Sequence, residues 1–437
     1  MTTKQLYPIY LKHPSICTDT RKISASCLFF ALMGDNFDGN AFAGKALENG
    51  AAFAIIDDPQ YAVNDRFILV SNVLEALQDL ARFHRDHLRI PVIGITGSNG
   101  KTTTKELIRS VLSQHFNCYA TEGNLNNHVG VPLSILSLKN DCEIAIIEMG
   151  ANHQKEIEFL CNIAQPTHGL ITNVGKAHLE GFGGIEGVKS TKGELYDYLA
   201  VTGGTAFINR DNFLLVDMSR ERNVKNVVYY GKSPDNYLSA RLNEASPCLV
   251  VGWQVGTREI DGRSNTAVSN LPGIYNFENI VAAICIGSFF KLTVEQINAG
   301  ISAYKPENNR SQILNTTNNT IICDYYNANP SSMTVALDNL ETIDAKNKVM
   351  ILGDMFELGA GSVMEHRLIL EKAMQTPSEK RIFIGEAFHS LKKYFHADFY
   401  LNTQKAYEAL KRDPIRNSTI LVKGSRGMKL ELLVELF

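Results

Sequence analysis

Apolar and polar positions fall into two alternating patterns along this chain. Short apolar runs rich in β-branched residues read as buried strands. Longer stretches with apolar residues every three or four positions read as amphipathic helices. Between about 90 and 305 the two alternate: strands are predicted at 91–96, 143–149, 169–174 and 205–209, with helices at 102–115, 154–164 and 187–200. Such alternation predicts a parallel sheet with helices on both faces. The segment 227–267 has more strand formers and turns and predicts an antiparallel extension. Upstream, apolar segments at 27–33, 51–57 and 67–70 are separated by turn residues such as Asp38, Gly39 and Gly50. They describe a small α/β module, and a helix over 73–88 leads out of it. A third module begins near 306–310, with strands at 320–323, 348–352, 381–384 and 419–422 and helices near 331–340, 362–374 and 428–436. The fold class is therefore α/β in three domains: a small N-terminal module (1–85), a central doubly wound parallel-sheet domain with a phosphate loop (86–305), and a C-terminal Rossmann-like domain (306–437).

Bulk composition narrows the function classes. A net charge of −3 provides no general electrostatic case for nucleic-acid binding. No apolar run reaches the roughly 20 residues that span a bilayer, so no membrane insertion is expected. The longest candidate, 280–290, is interrupted by Gly287 and Ser288 and reads as a core helix. The N-terminus lacks the charged-then-apolar pattern of a signal peptide. The eight cysteines form no C-x-x-C pair and read as free thiols of a reducing cytoplasm.

The strongest chemical signal is Gly97-x-x-Gly100-Lys101-Thr102, placed between a predicted strand and a helix whose apolar face carries Leu107, Ile108, Val111 and Leu112. A glycine-rich turn at a helix N-terminus cradles phosphate, because backbone N–H groups converge there and the helix dipole favours negative charge. Gly97, Ser98, Asn99 and Gly100 would form that cradle, Lys101 would reach the terminal phosphates, and the Thr102 hydroxyl would ligate Mg²⁺. A strict Walker A motif would need glycine at position 95, where Ile95 stands. The reading is a protein that binds and splits a nucleoside triphosphate.

In open α/β sheets, ligands collect beyond the carboxyl ends of the strands. Glu148 closes the strand after the phosphate loop and is a candidate magnesium ligand. His178 lies just past the next strand and is a candidate metal ligand, with Glu180 a poorer one; Lys192, on composition alone, is a surface helix lysine. Two asparagine-rich segments, 124–132 and 324–330, are polar in ways that cores avoid. The first is expected as strand and loop, and both are candidate ligand contacts through Asn126, Asn127, Asn327 and Asn329.

These motifs, in this order, resemble the Mur ligases, ATP-dependent amide-bond-forming enzymes of bacterial peptidoglycan synthesis. The compact loop 97–104 is that family's usual form, and 123–132, 148–153, 173–183 and 192–194 follow in family order. The stretch 271–279 resembles the family's adenine-side motif. Arg310, the segments 324–330 and 353–359 with His366, and Lys423-Gly424-Ser425-Arg426 resemble the member that adds D-alanyl-D-alanine to UDP-N-acetylmuramoyl-tripeptide. The stretches 18–21, 28–32 and 38–40 resemble its uridine-nucleotide module, which implies substrate contacts from Thr20, Arg21 and Asp38. Asn40, Tyr275 and Cys323 depart from the family's frequent residues at their positions.

The resemblance implies ATP, two Mg²⁺ ions and an acyl-phosphate intermediate. Lys101 and a first Mg²⁺, held by Thr102 or Thr103 with Glu148, would offset the triphosphate charge. A second Mg²⁺ would sit at His178 and Lys192, with Lys192 carbamylated by CO₂, which requires a neutral amine. Arg310 would steady the γ-phosphate or the tetrahedral intermediate, Asn279 would face the adenine, and Asp324 would reach the nucleotide from the third domain. Asn327 and Asn329 would belong to the dipeptide pocket. The family expectation is a cytoplasmic monomer whose outer domains close on the central one. A related ligase adding a diamino acid or glutamate, and a nucleotide-dependent binding module without amine-dependent turnover, stand as alternatives.

Overall fold

Strand Val92–Thr96 is buried at every position, and its carboxyl end delivers the chain into the phosphate loop and helix Lys101–Leu112. The computed structural model describes residues 1–34, 36–245, 248–256, 265–307 and 309–437. Around this strand runs a sheet of nine strands. In spatial order they are Asn265–Val268, Val250–Val255, Leu238–Glu244, Asn226–Gly231, Thr205–Asn209, His168–Ile171, Val92–Thr96, Ile144–Glu148 and Cys118–Ala120. The seven from Leu238–Glu244 to Cys118–Ala120 are parallel, and the two beyond are antiparallel; the antiparallel extension expected over 227–267 therefore holds only from Val250 onward, since Asn226–Gly231 and Leu238–Glu244 join the parallel set, and 257–264 lie outside the described residues. Val92–Thr96 has Ile144–Glu148 on one side and His168–Ile171 on the other. The ends of three neighbouring parallel strands therefore meet at the phosphate loop, which is where a doubly wound sheet opens its crevice.

One face of this sheet carries helices Lys101–Leu112 and Asn276–Phe289, with Val111, Ile280 and Ile284 fully or almost fully buried. The core on the other face is continuous with that of the N-terminal module: Leu6, Phe30 and Ile55 belong to one cluster with Leu77, Val131, Ile135 and Ile147. Helix Val73–His87 is the bridge, since its inward side (Val73, Leu77, Leu80, Ala81) packs between the two units. Asn72 caps its start by accepting from the Glu75 N–H at 2.9 Å. The N-terminal sheet has four parallel strands, Ile16–Cys17, Leu28–Phe30, Phe53–Ile56 and Phe67–Leu69.

The C-terminal sheet has six strands, in the order Gln312–Asn315, Asn319–Asp324, Ser418–Lys423, Lys348–Gly353, Lys380–Ile384 and Asp398–Tyr400. All pairs but the first are parallel. It has apolar clusters of its own on both faces.

Several expectations need correction. Segment 124–132 is not strand and loop but turns followed by helix Gly130–Leu136. Pro132 sits in its first turn, where a missing N–H costs no hydrogen bond. The strand expected over 169–174 ends at Ile171, because residues 172–175 leave the sheet to hold the phosphate loop. The helix expected over 428–436 is the short Glu431–Val434 behind a 3₁₀ turn. The strands not anticipated include Cys118–Ala120, Gln312–Asn315 and Asp398–Tyr400, all sheet edges with little apolar pattern, and the two-residue Ile16–Cys17 and Phe37–Asp38 of the N-terminal module.

Candidate active site

The phosphate loop's shape depends on two glycines. Gly97 has φ +142° and Gly100 has φ +78°, conformations that side chains disfavour. A Cβ on Gly97 would lie 2.0 Å from the Thr172 hydroxyl, and one on Gly100 would lie 2.8 Å from the Asn279 amide oxygen. The neighbouring strand's exit loop clamps the turn. The Thr172 hydroxyl donates to the Asn99 carbonyl at 2.6 Å, the Ser98 N–H donates to the Asn173 carbonyl at 3.0 Å, and the Asn99 N–H donates to the Asn173 side-chain oxygen at 3.0 Å. Ser98 and Gly175 exchange two further hydrogen bonds, at 3.0 and 2.9 Å.

Lys101 arches back over the loop and donates to the Gly97 carbonyl at 2.6 Å. Burial lowers its pKa, Glu148 opposes that shift and Arg310 adds to it. Thr103 is buried at the start of the helix. Glu148 is 1 % exposed at its strand end. The Thr102 hydroxyl donates to its Oε2 at 3.0 Å, and the Asn126 amide donates to its Oε1 at 2.8 Å. Asn127 acts on the backbone instead. Its side-chain oxygen accepts from the Val129 and Gly130 N–H groups at 3.2 and 2.9 Å, where helix Gly130–Leu136 begins. Asn279 is also committed internally, accepting from the Thr104 hydroxyl at 3.0 Å and donating to Asn276 at 2.9 Å, so its amide braces the loop from behind.

His178 adopts φ +50° just past the third strand, with its ring facing Glu357 of the C-terminal unit. Burial lowers its pKa, and Glu357 opposes the shift. Lys192 is not the surface lysine that composition implied. It is 2 % exposed, with its ammonium 5.1 Å from the centre of the Phe182 ring. Burial pulls its pKa down to about 7; Lys101 reinforces the shift, and Glu194 and Glu156 oppose it. Local sequence could not reveal this, because Lys192 is covered by packing among helices and strands distant in the chain.

The C-terminal unit supplies the opposite wall of a cleft of about 1080 Å³, lined by Lys101, Glu148 and His178 on one side and Arg310, Asp324 and Asn327 on the other. The Arg310 guanidinium stacks on Tyr326 at 3.8 Å from the ring centre. Asp324 accepts from the Lys423 ammonium at 2.6 Å. The Asn327 side chain turns onto the next residue, accepting from the Ala328 N–H at 2.9 Å. Asn329 caps helix Pro330–Thr342 through the Ser332 N–H and also donates to Asn99 in the phosphate loop, at 2.9 and 2.8 Å respectively. The Lys176 N–H donates to Ser331, and its ammonium pairs with Glu365. The segment 353–359 is held from within: the Met355 N–H donates to His366 Nε2 at 3.0 Å, and Asp354 accepts from Ala387 and Phe388 at 2.9 and 3.0 Å.

Thr20, Arg21 and Asp38 do not line this cleft. Arg21 pairs with Asp19 on the surface of the N-terminal module. Asp38 accepts from the Asn40 side chain at 2.9 Å, and Asn40 in turn donates to Asp57 at 2.8 Å. Two residues at the site were missed from sequence. Lys105 is fully buried beneath Glu148, and Glu357 meets His178 across the domain gap. The spacing of Lys105 four residues after Lys101 puts both on the same side of the helix, a signal the sequence did carry.

Comparison with known proteins agrees with this architecture. Three family models match in succession: "Mur ligase family, catalytic domain" over residues 14–85, "Mur ligase middle domain" over 95–287, and "Mur ligase, glutamate ligase domain" over 309–426. The UDP-N-acetylmuramoyl-tripeptide–D-alanyl-D-alanine ligase of Bacillus subtilis is 35% identical, over 96% of this chain and 92% of its own. Among solved structures, MurF from Acinetobacter baumannii superimposes with a TM-score of 0.86 at 28% identity, covering 100% of this chain and 98% of that one. MurF ligase from Thermotoga maritima in complex with ADP gives 0.82 at 25% identity, with coverages of 97% and 96%. This chain belongs to the Mur ligase family, in the group of the UDP-N-acetylmuramoyl-tripeptide–D-alanyl-D-alanine ligases.

Proposed function

We propose that the chain joins D-alanyl-D-alanine to UDP-N-acetylmuramoyl-tripeptide in peptidoglycan precursor synthesis, splitting ATP to ADP and phosphate. The observation that carries this reading is the opposition, across one cleft, of the clamped phosphate loop with buried Glu148 and a C-terminal wall presenting Arg310 and Asp324. The tripeptide's terminal carboxylate attacks the γ-phosphorus and ADP leaves. The free amine of the dipeptide then attacks the acyl carbon, phosphate departs and the amide loses a proton. Both anions of the first step must be held together against their repulsion, so positioning and positive charge carry the catalysis. Lys101 and Arg310 contribute that charge from opposite walls, and closure keeps water from the acyl phosphate.

The buried Glu148 carboxylate, already bonded to Thr102 at a helix N-terminus, suits a magnesium ion there, with Thr103 adjacent. His178 and a carbamylated Lys192 would hold the second ion, and an amine titrating near 7 is one that CO₂ can reach as the free base. The ions, when bound, screen charge between triphosphate and carboxylate. In this reading residues 1–85 bind the uridine nucleotide through Thr20, Arg21 and Asp38, 86–305 bind ATP with Asn279 toward the adenine side, and 306–437 bind the dipeptide near Asn327 and Asn329. Asn126 and Asn127 flank the tripeptide end. The enzyme works as a cytoplasmic monomer without nucleic-acid partners; all eight cysteines are free, which suits a reducing compartment. Among the described residues no helix is long and apolar enough to cross a membrane.

Phosphate release tests the reading. With ATP and UDP-N-acetylmuramoyl-tripeptide, D-alanyl-D-alanine is expected to stimulate turnover, and single amino acids are not. Equal stimulation by glutamate or a diamino acid would overturn it.

A further inference from the structure

Helix Lys101–Leu112 turns Thr104, Lys105, Leu107 and Ile108 inward, and among these otherwise uncharged positions Lys105 brings an ammonium that is 0 % exposed. Burying such a charge is costly and is offset only by close partners. Lys105 Nζ donates to the Thr121 carbonyl, lies 3.5 Å from the Gly123 carbonyl and 3.1 Å from Glu106 Oε1, and stands 3.7 Å from Glu148 Oε2. Thr121 works from both ends, since its hydroxyl accepts from the Glu148 N–H at 3.0 Å. Lys105 thus ties together the phosphate-loop helix, the turn after Cys118–Ala120 and the end of Ile144–Glu148.

We propose that Lys105 is a positioning residue for Glu148, fixing the carboxylate in the orientation in which it receives the nucleotide's metal ion. The inference rests on the reading of Glu148 as a magnesium ligand. The present donors to Glu148 are of two kinds. Asn126, on Oε1, belongs to a turn, and Thr102, on Oε2, is the hydroxyl that the same reading assigns to the metal. When Thr102 turns to the ion, Oε2 keeps Lys105 as its anchor, on a regular helical turn with no solvent exposure. Partners one step removed from a metal govern its affinity by holding the ligand still, and their loss typically weakens binding about 10–100-fold.

Calorimetric titration with AMP-PNP, in excess Mg²⁺ and in its absence, tests this on the whole chain. The ratio of the two affinities cancels any general loosening of the pocket. Lys105→Met is expected to lower that ratio by about 10-fold or more while leaving metal-free affinity within about twofold of wild type. Lys105→Gln, which keeps a donor for the Thr121 carbonyl, carries the same comparison if the Met variant does not fold. A wild-type ratio in the folded variant overturns the proposal, whatever its Tm. Glu148→Gln separates the two levels. If it loses the Mg²⁺ response while Lys105→Met keeps it, only the role of Lys105 falls; if it responds like wild type, the metal assignment falls and the inference with it.

Discussion

The side-chain nitrogen of Asn329 lies 2.8 Å from the side-chain oxygen of Asn99, joining the first turn of a C-terminal helix to the phosphate loop of the central sheet. One residue is therefore both a helix cap and an inter-domain link.

The two roles of Asn329 separate by substitution. Asn329→Ser keeps a capping oxygen but is too short to reach Asn99; Asn329→Ala loses both. Each is expected to raise the KM for ATP about fivefold, the worth of one hydrogen bond of about 1 kcal/mol. Only the Ala variant should also lose about 1 kcal/mol of cap stabilisation, read as a lower Tm. An unchanged KM in both would mean that the bridge does not matter to nucleotide binding.

Gly97→Ala tests the loop itself. With φ at +142° and Thr172 in the way, the added methyl must displace the strand exit that clamps Asn99. Strain of this kind costs on the order of 1–3 kcal/mol, so ADP affinity is expected to fall roughly 5- to 150-fold by calorimetry. Retained affinity would show that the cradle has slack the structure does not display.

Carbamylation of Lys192, as proposed, would couple the chemistry to CO₂. Because burial brings its pKa down to about 7, the free amine dominates above that pH, and carbamylation is expected to strengthen as pH rises through that value. In buffer stripped of CO₂ turnover should drop, and bicarbonate should restore it. Lys192→Ala should abolish turnover, spare ATP binding and recover partly with small carboxylic acids. Full activity of the unsupplemented variant would remove Lys192 from the mechanism.

His366 is buried with both ring nitrogens in use: Nε2 accepts from Met355, and Nδ1–H donates to the Ser362 carbonyl at 2.7 Å. Burial lowers its pKa below the ordinary 6.5, so between the lowered value and 6.5 the unfolded chain binds more protons than the folded one. Stability is then present above that ordinary value and is lost as pH falls below it. Thermal melts should show an acid decline that His366→Gln reduces. His366→Ala strands the Met355 N–H and should cost about 1–3 kcal/mol at neutral pH. No stability loss in the Ala variant would mean that water replaces the ring.

Much of this protein was determined by local sequence. The periodicity of apolar residues was enough to mark the central strands and helices, because each buries one face or both against a layer and must alternate accordingly. Gly97, Gly100, Lys101 and Glu148 were readable because a phosphate loop needs specific residue types at short spacing. The third dimension decided what those residues do to one another. Lys192 became a buried amine and Lys105 a hidden counter-charge only when distant helices and strands covered them, and desolvation depends on neighbours that the local sequence does not name. Asn127, Asn279 and Asp38 look alike as polar candidates in one dimension, yet the fold gives their side chains different partners: the start of a helix, the hydroxyl of Thr104 and a buried asparagine. The meeting of His178 with Glu357 and of Asn99 with Asn329 arises from domain docking, an association of surfaces that no single segment encodes.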